Sequence, residues 1–459
     1  MIHRYQKKGL NFVLDVNSGA VHLLDDISYA VSGLLDENMG DTCPQSIIDA
    51  LSDYTADEIR EAYDELYELK KAGQLFAQDD YIDVSRYIPV NAPVKALCLH
   101  VAHDCNLRCK YCFASTGDFG QGRKIMPPEI AKKAIDFVIA RSGVRHNIEV
   151  DFFGGEPLMA WDTVTQTVDY ARSLEEKYNK KFRFTITTNG LLLDEDKRKY
   201  INENMDNCVL SLDGRREVND EFRKTVAGTG SYDTIVPKFK APVDERDPNL
   251  DYYARGTFTS HNLEFAEDEL SIADAGFDRL SVEPVTADPG CGYDLTEDDL
   301  PKIEAEYDRL TDIMLERKKE GKPFTFFHFM VDLDQGPCVV KRLRGCGAGY
   351  EYVAVTPDGD IYPCHQFVGK DEFKQGSVLD QSFNMDIAQT FAGMNIYSRP
   401  KCQKCWAKFY CSGGCSAANY NMNHDMNDSY DLGCEMERKR LECAIYLKAM
   451  DKICANQSK

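Results

Sequence analysis

The sequence predicts an α/β protein: a parallel sheet in the middle of the chain, a small strand-and-helix module before it and a cysteine-rich module after it. Three observations carry that expectation. Six apolar runs follow one another between Val94 and Val285, spaced so that a helix fits in each gap, which is the pattern of βαβ units and a parallel sheet. Each run ends in a polar or glycine-bearing motif, and parallel α/β folds bind their ligands at the carboxyl ends of the strands. Of the 17 cysteines, three cluster early and eight crowd the last third of the chain.

Residues 1–88 open with the alternating segments NFVLDVNS and AVHLLDD, then the helix-like stretches SYAVSGLLDE, PQSIIDALS and TADEIREAYDELYELKKAG. In the last of these, Ile59, Tyr63, Leu66 and Leu69 recur at helical spacing behind a Thr55 cap. Strands followed by short helices of this size suggest a winged-helix-like module. The two prolines of YIDVSRYIPVNAP mark a linker. Residues 92–310 hold the strand candidates VKALCLHVA, NIEVDFF, FRFTITT, NCVLSL, YYARGTFT and DRLSVEPV, with helices such as AKKAIDFVIARSG between them. Six strands make a partial barrel or an open sheet. After the helical stretch LPKIEAEYDRLTDIMLERKKEG, a helical linker is expected over 311–337. Residues 338–459 have short elements and much glycine and cysteine. They are expected to build no large apolar core and to rely on metal for stability.

The composition, 43% hydrophobic and 28% charged, is that of a globular protein, and no apolar run reaches the ~18 residues that cross a bilayer. The N-terminus MIHRYQKKGLNF has no apolar signal core, so a cytoplasmic location is expected. A net charge of −22 is the wrong sign for binding nucleic acid or an anionic membrane. In a reducing compartment so many cysteines read as soft metal ligands rather than disulfides. Cys43, Cys98, Cys208, Cys291, Cys443 and Cys454 stand alone and read as small buried hydrophobes.

Cys105, Cys109 and Cys112 form C-x3-C-x2-C within AHDCNLRCKYCFAST. A four-iron cubane takes four thiolates, so three leave one iron open to a small chelating ligand. A zinc site completed by His103 is the competing reading, but no usual zinc spacing matches. The loop, with Tyr111 as its aromatic, resembles the signature of the radical S-adenosylmethionine (SAM) enzymes. In that family the open iron is chelated by SAM, and reductive cleavage releases a 5′-deoxyadenosyl radical that abstracts hydrogen from the substrate. The resemblance implies a partial (β/α)6 TIM-like barrel. It also implies that Gly154, Gly155 and Glu156 of GGEP hold the methionyl amine. Thr188 and Asn189 of TTNG, Ser211 and Asp213 of SLDG, and Arg255 would line the ribose and carboxylate side. TTNG and LDG are also ordinary turn signals.

The later field reads CGAGYEYVAVTPDGDIYPC, then CQKCWAKFYCSGGC, then Cys434. Zinc ribbons also use C-x2-C pairs, but seven cysteines exceed the need of one zinc. The combination resembles the SPASM extension of peptide-modifying radical SAM enzymes. That resemblance implies two auxiliary clusters, one on Cys402, Cys405, Cys411 and Cys434 and one on Cys346, Cys364 and Cys415. The fourth position of the second is either Cys338 or open to a substrate thiol. With the first it makes three [4Fe-4S] clusters.

The N-terminal module resembles the peptide-recognition element of ribosomal-peptide maturases, which takes a leader peptide as an added strand. A helix-turn-helix DNA reader is disfavoured by the acidic helix after Thr55. The three-part chain resembles the maturases of six-cysteines-in-forty-five-residues (SCIFF) peptides. This implies thioether formation between a cysteine sulfur and a carbon, commonly of threonine, in a Cys-rich precursor peptide. The second electron would pass to an auxiliary cluster, and a reductant such as ferredoxin or flavodoxin would supply the first. No side chain is assigned as general base. A sulfatase-maturase-type formylglycine former and an iron-sulfur electron carrier are the alternatives.

Overall fold

The computed structural model describes residues 1–87, 92–333 and 339–457. All six expected strands form: Ala96–His103, Asn147–Gly154, Lys181–Thr188, Asn207–Ser211, Asp251–Phe258 and Arg279–Pro284. They lie side by side in chain order and all run parallel. Alternation sets the two faces. Ile148, Val150 and Phe152 are buried, as are Phe182, Phe184 and Ile186, beneath the crossover helices. Each fully buried Phe or Ile contributes about 1.5–3 kcal/mol. The helices Pro128–Arg141 and Trp161–Tyr178 pack on that face through Ala134, Ile135, Val138, Val164 and Val168.

The sheet is longer than six strands. Thr325–Phe326 adds in parallel beside Arg279–Pro284, so the helix Leu300–Lys319 is a crossover inside the barrel. Its stripe of Ile303, Tyr307 and Leu310 is buried at helical spacing. The expected linker over 311–337 is therefore corrected, because it cuts through this helix and the strand after it. At the other edge Tyr352–Val355 pairs in parallel with Ala96–His103 and continues into antiparallel strands Asp360–Tyr362, Gly376–Ser377 and Ser382–Phe383. The sheet is thus mixed and stays open. Among the described residues, the cysteine-rich part borrows the barrel's sheet and also has an aromatic cluster, with Phe367 against Phe373 and Phe391 at 4.4 and 5.4 Å. That cluster is small beside the barrel's core and is shared with Cys98, Ala114 and Phe119 of the barrel.

The N-terminal module opens with an antiparallel sheet of Ile2–Lys7, Leu10–Asp15 and Val21–Leu24. Three helices follow, Asp26–Ser32, Gln45–Ala50 and Ala56–Lys71. Thr55 and Glu58 form a capping box, and Ile59, Tyr63 and Leu66 turn inward. Part of the expected linker is helical, as Tyr81–Tyr87; the rest includes 88–91, outside the described residues. The C-terminal helix Asp431–Gln457 closes the molecule. It packs Ile445 and Tyr446 against Tyr5, Phe12 and Leu14 of the N-terminal sheet. No helix among the described residues is long and apolar enough to cross a membrane.

Candidate functional site

The loop after Ala96–His103 carries the first three cysteines, and its middle, Leu107–Cys109, pairs antiparallel with Arg223–Thr225. Cys105, Cys109 and Cys112 line one cavity of about 290 Å³, together with Tyr111, Gly154, Gly155, Thr188, Asn189, Ser211, Arg223 and Arg255. Leu107 N–H and Asn189 Nδ2 both donate to Cys105 Sγ, at 3.4 and 3.5 Å. Burial pushes the Cys105 thiol up to about 12 and Cys109 up to about 11, the latter moderated by the Arg223 guanidinium. These thiols stay protonated unless a metal takes over the charge, as thiolate ligation does.

The two glycines of GGEP line the cavity and also let the cysteine loop approach closely. A Cβ on Gly155 would meet the Asp104 carbonyl oxygen at 2.2 Å, and one on Gly154 the Ala102 oxygen at 2.3 Å. Their backbone clasps the cysteine loop, with Gly155 N–H donating to Ala102 O at 2.8 Å and Glu156 N–H to Asp104 O at 2.9 Å. The residue after them, Glu156, is the carboxylate of the motif expected to hold the methionyl amine. It is fully buried and outside the cavity lining, and accepts from Leu158 N–H, Thr188 Oγ1 and Asn189 N–H at 2.8–2.9 Å. It braces the loop that carries Thr188 and Asn189.

Asp213 is likewise fully buried behind the wall. Tyr111 Oη donates to it at 2.5 Å, Thr257 N–H at 3.2 Å, and Arg223 stands 3.7 Å away. Burial outweighs these partners and raises its carboxyl to about 6. Arg223 also donates to Tyr111 Oη at 2.9 Å, and its buried Nε has no partner among the described residues. It lines the cavity from the cysteine-loop side. Sequence reasoning missed it, because only the pairing of its strand with Cys109 brings it there. Arg255 is matched instead by Glu283, which also has His328 at 3.5 Å.

Lower in the barrel, Asp151 faces Cys98 across the sheet, and burial raises its carboxyl to about 7. An unfolded Asp titrates near 3.9, so between about pH 4 and 7 the native chain holds a proton that the unfolded chain releases. Stability therefore falls with rising pH across that window, by on the order of 4 kcal/mol. Asp151→Asn should flatten this dependence. Denaturant unfolding of both chains at pH 5 and pH 8 checks it, and an equal difference at both values rules it out.

In the cysteine-rich part, Cys402, Cys405, Cys411 and Cys434 line a second cavity of about 330 Å³ with Lys408, Glu437 and Arg438. The short helices Pro400–Gln403 and Lys408–Cys411 and the start of Asp431–Gln457 bring them together. Cys346, Cys364 and Cys415 form a further group: burial raises Cys364 to about 12, and the other two thiols add to the shift. Buried Arg399 lies in the field of both groups, bonding to Gly413 O and Ser416 Oγ. Cys338 lies outside the described residues. No three His, Cys, Asp or Glu among the described residues close around a single ion. Zinc needs sulfurs ~2.3 Å from one point, so thiols spread around cavities of this size suit a polynuclear iron–sulfur group better. Of the lone cysteines, Cys98, Cys208 and Cys443 are buried as expected; Cys291 and Cys454 are exposed and Cys43 is intermediate.

Three thiols at the end of the first of six parallel strands, followed by a cysteine-rich extension, are the features that two domain models match. Residues 99–241 match the model of the radical SAM superfamily, and residues 346–406 that of the SPASM iron-sulfur cluster-binding domain. The two domains imply iron–sulfur clusters and SAM as cofactors. The cysteine-type anaerobic sulfatase-maturating enzyme of Clostridium novyi is 24% identical over 354 residues, covering 72% of this chain and 90% of the relative. Two solved structures share the fold. Native anSMEcpe with bound AdoMet aligns with TM-score 0.62 and 21% identity over 80% of this chain and all of that one. Streptococcus suis SuiB bound to precursor peptide SuiA aligns with TM-score 0.52 and 17% identity over 93% and 97%.

Proposed function

We propose that this chain is a peptide maturase that joins a cysteine sulfur to a carbon, that of threonine first, in a Cys-rich ribosomal peptide. One observation carries the reading: the cavity of Cys105, Cys109 and Cys112 extends to His365 and Gln366, directly beside Cys364. The rings of Phe113 and His365, each next to a cysteine of its group, stand 5.4 Å apart. A peptide in that cavity can present a carbon to one group of thiolates and a thiol to the other.

On this reading Cys105, Cys109 and Cys112 hold the first cluster, and Cys402, Cys405, Cys411 and Cys434 a second. Cys346, Cys364 and Cys415 hold a third, whose remaining position is open to a substrate thiol or filled by Cys338. When bound, SAM and the first cluster supply a 5′-deoxyadenosyl radical that takes hydrogen from the substrate carbon. Thr188, Asn189, Ser211 and Arg223 bind and orient SAM, with Glu156 and Asp213 as the groups that position them. Closing the C–S bond between the carbon radical and the sulfur would release one proton and one electron: metal ligation of the thiol would assist loss of the proton, and the electron would pass to an auxiliary cluster. The leader segment adds as a strand on the outer edge of Val21–Leu24, since Ile2–Lys7 at the other edge lies against the C-terminal helix through His3 and Tyr5. A small protein reductant supplies the electron for SAM cleavage.

The test is anaerobic reconstitution with dithionite, SAM and a small Cys-rich peptide encoded beside the gene. The product is expected to lose two hydrogens, keep its sulfur and protect one cysteine from alkylation. Loss of sulfur would establish formylglycine formation instead, the second reading that the sulfatase-maturating relative favours. Intact peptide with no 5′-deoxyadenosine would leave an electron carrier.

A further inference from the structure

The five residues 406–410 link two cysteines of the second cavity, Cys405 and Cys411, and the N-terminal module grips most of them. Trp406 stacks flat on His3, with centroids 3.8 Å apart and planes 1° from parallel. Lys408 Nζ pairs with Asp79 at 2.8 Å. Phe409 packs edge-on to Tyr81 at 5.2 Å. Tyr410 packs against the cluster of Tyr5, Phe12 and Leu14. Asp79 is itself fixed from the other side, accepting from Tyr397 Oη at 2.5 Å.

Lys408 is the informative member. Its side chain is only 5% exposed, and it lines the cavity of Cys402, Cys405, Cys411 and Cys434. A buried ammonium costs several kcal/mol unless it is matched. Here the match comes from a carboxylate more than 300 positions away, in a module that contributes no cysteine to the cavity. The same wall carries Glu437 and Arg438, the latter with its Nη1 3.9 Å from Cys405 Sγ, so Lys408 is one of two cations lining the cavity beside these thiols, with Lys401 at its rim.

We propose that the N-terminal module completes the second cysteine site, with the Asp79–Lys408 pair setting the reduction potential of the cluster held there. The inference rests on the reading that these four cysteines hold a cluster. Reduction adds negative charge to an iron–sulfur group, so a nearby cation raises its potential and a nearby anion lowers it. The two partners must therefore act with opposite sign: Asp79→Asn leaves Lys408 unmatched and raises the potential, whereas Lys408→Met removes the cation and lowers it. Loosening of the loop alone would move both variants the same way.

The experiment is a potentiometric titration, followed by electron paramagnetic resonance, of the full chain reconstituted anaerobically without peptide. The signal of the second site is identified as the one missing from the Cys402→Ala/Cys405→Ala variant. Opposite shifts of that signal in Asp79→Asn and Lys408→Met, with the other signals at their parental potentials, support the inference. Parental potentials in both variants, or shifts of the same sign, overturn it. If the double cysteine variant keeps every parental signal, the cluster assignment itself fails, and the inference with it.

Discussion

A chain with Cys105, Cys109 and Cys112 all replaced by alanine is expected to lose SAM cleavage entirely, and to fall from about 12 to about 8 irons on reconstitution. The three thiols line one cavity, and no fourth cysteine among the described residues joins them there. Each iron held through a single thiolate has no substitute once that thiolate is gone. The loss should be confined to the site. The sheet below is held by Leu97, Leu99, Val150, Phe152 and Phe184, all fully buried, so far-ultraviolet circular dichroism of the variant should match the parent. Iron counting, labile sulfide and 5′-deoxyadenosine by chromatography read the outcome. Persistent cleavage would refute the assignment, and a parent holding only about 4 irons would remove both auxiliary clusters from the proposal.

Arg223→Met carries the second large effect, in two separable parts. Removing the guanidinium leaves the Asp213 carboxyl fully buried with only Tyr111 Oη and Thr257 N–H as donors. Orphaning a buried charge costs about 3–5 kcal/mol, so a large drop in thermal midpoint is expected. Arg223 also offers a charged donor to an anionic group in the cavity, a bond of about 1.5–3 kcal/mol. Its loss should weaken SAM binding by roughly tenfold to a hundredfold. Adding Asp213→Asn separates the parts: stability should return because the buried carboxylate is gone, while SAM affinity stays low. Arg255→Met is the comparison. Its charge is matched by Glu283, so it should affect SAM binding far less. Equal losses of SAM affinity in the Arg223 and Arg255 variants would undo this division of roles.

Much of the site was legible because it is local. C-x3-C-x2-C lies on one loop, and GGEP, TTNG and SLDG each end one strand, so their meeting at one end of the sheet follows from parallel strand order. The strands themselves were legible because apolar runs of that length admit few other arrangements. The strand Thr325–Phe326 was not, since two residues carry no periodicity and its place depends on a partner some 45 residues earlier. Nor was Tyr352–Val355, whose apolar run sits among cysteines and joins a strand about 255 positions away.

Side-chain direction divides in the same way. Glu156 could be identified as a functional carboxylate from its motif, yet whether it faced the cavity or turned inward to three donors depended on the Thr188 and Asn189 loop packing over it. Residue type and spacing along the chain therefore determined which cysteines fall together, the parallel sheet and the end of it that carries the site. Arg223 beside Cys109, Glu283 against Arg255 and Asp79 on Lys408 were decided by the tertiary structure alone. Each pair joins residues far apart in the chain, and only the packed fold supplies the burial that makes an unmatched charge at those places costly.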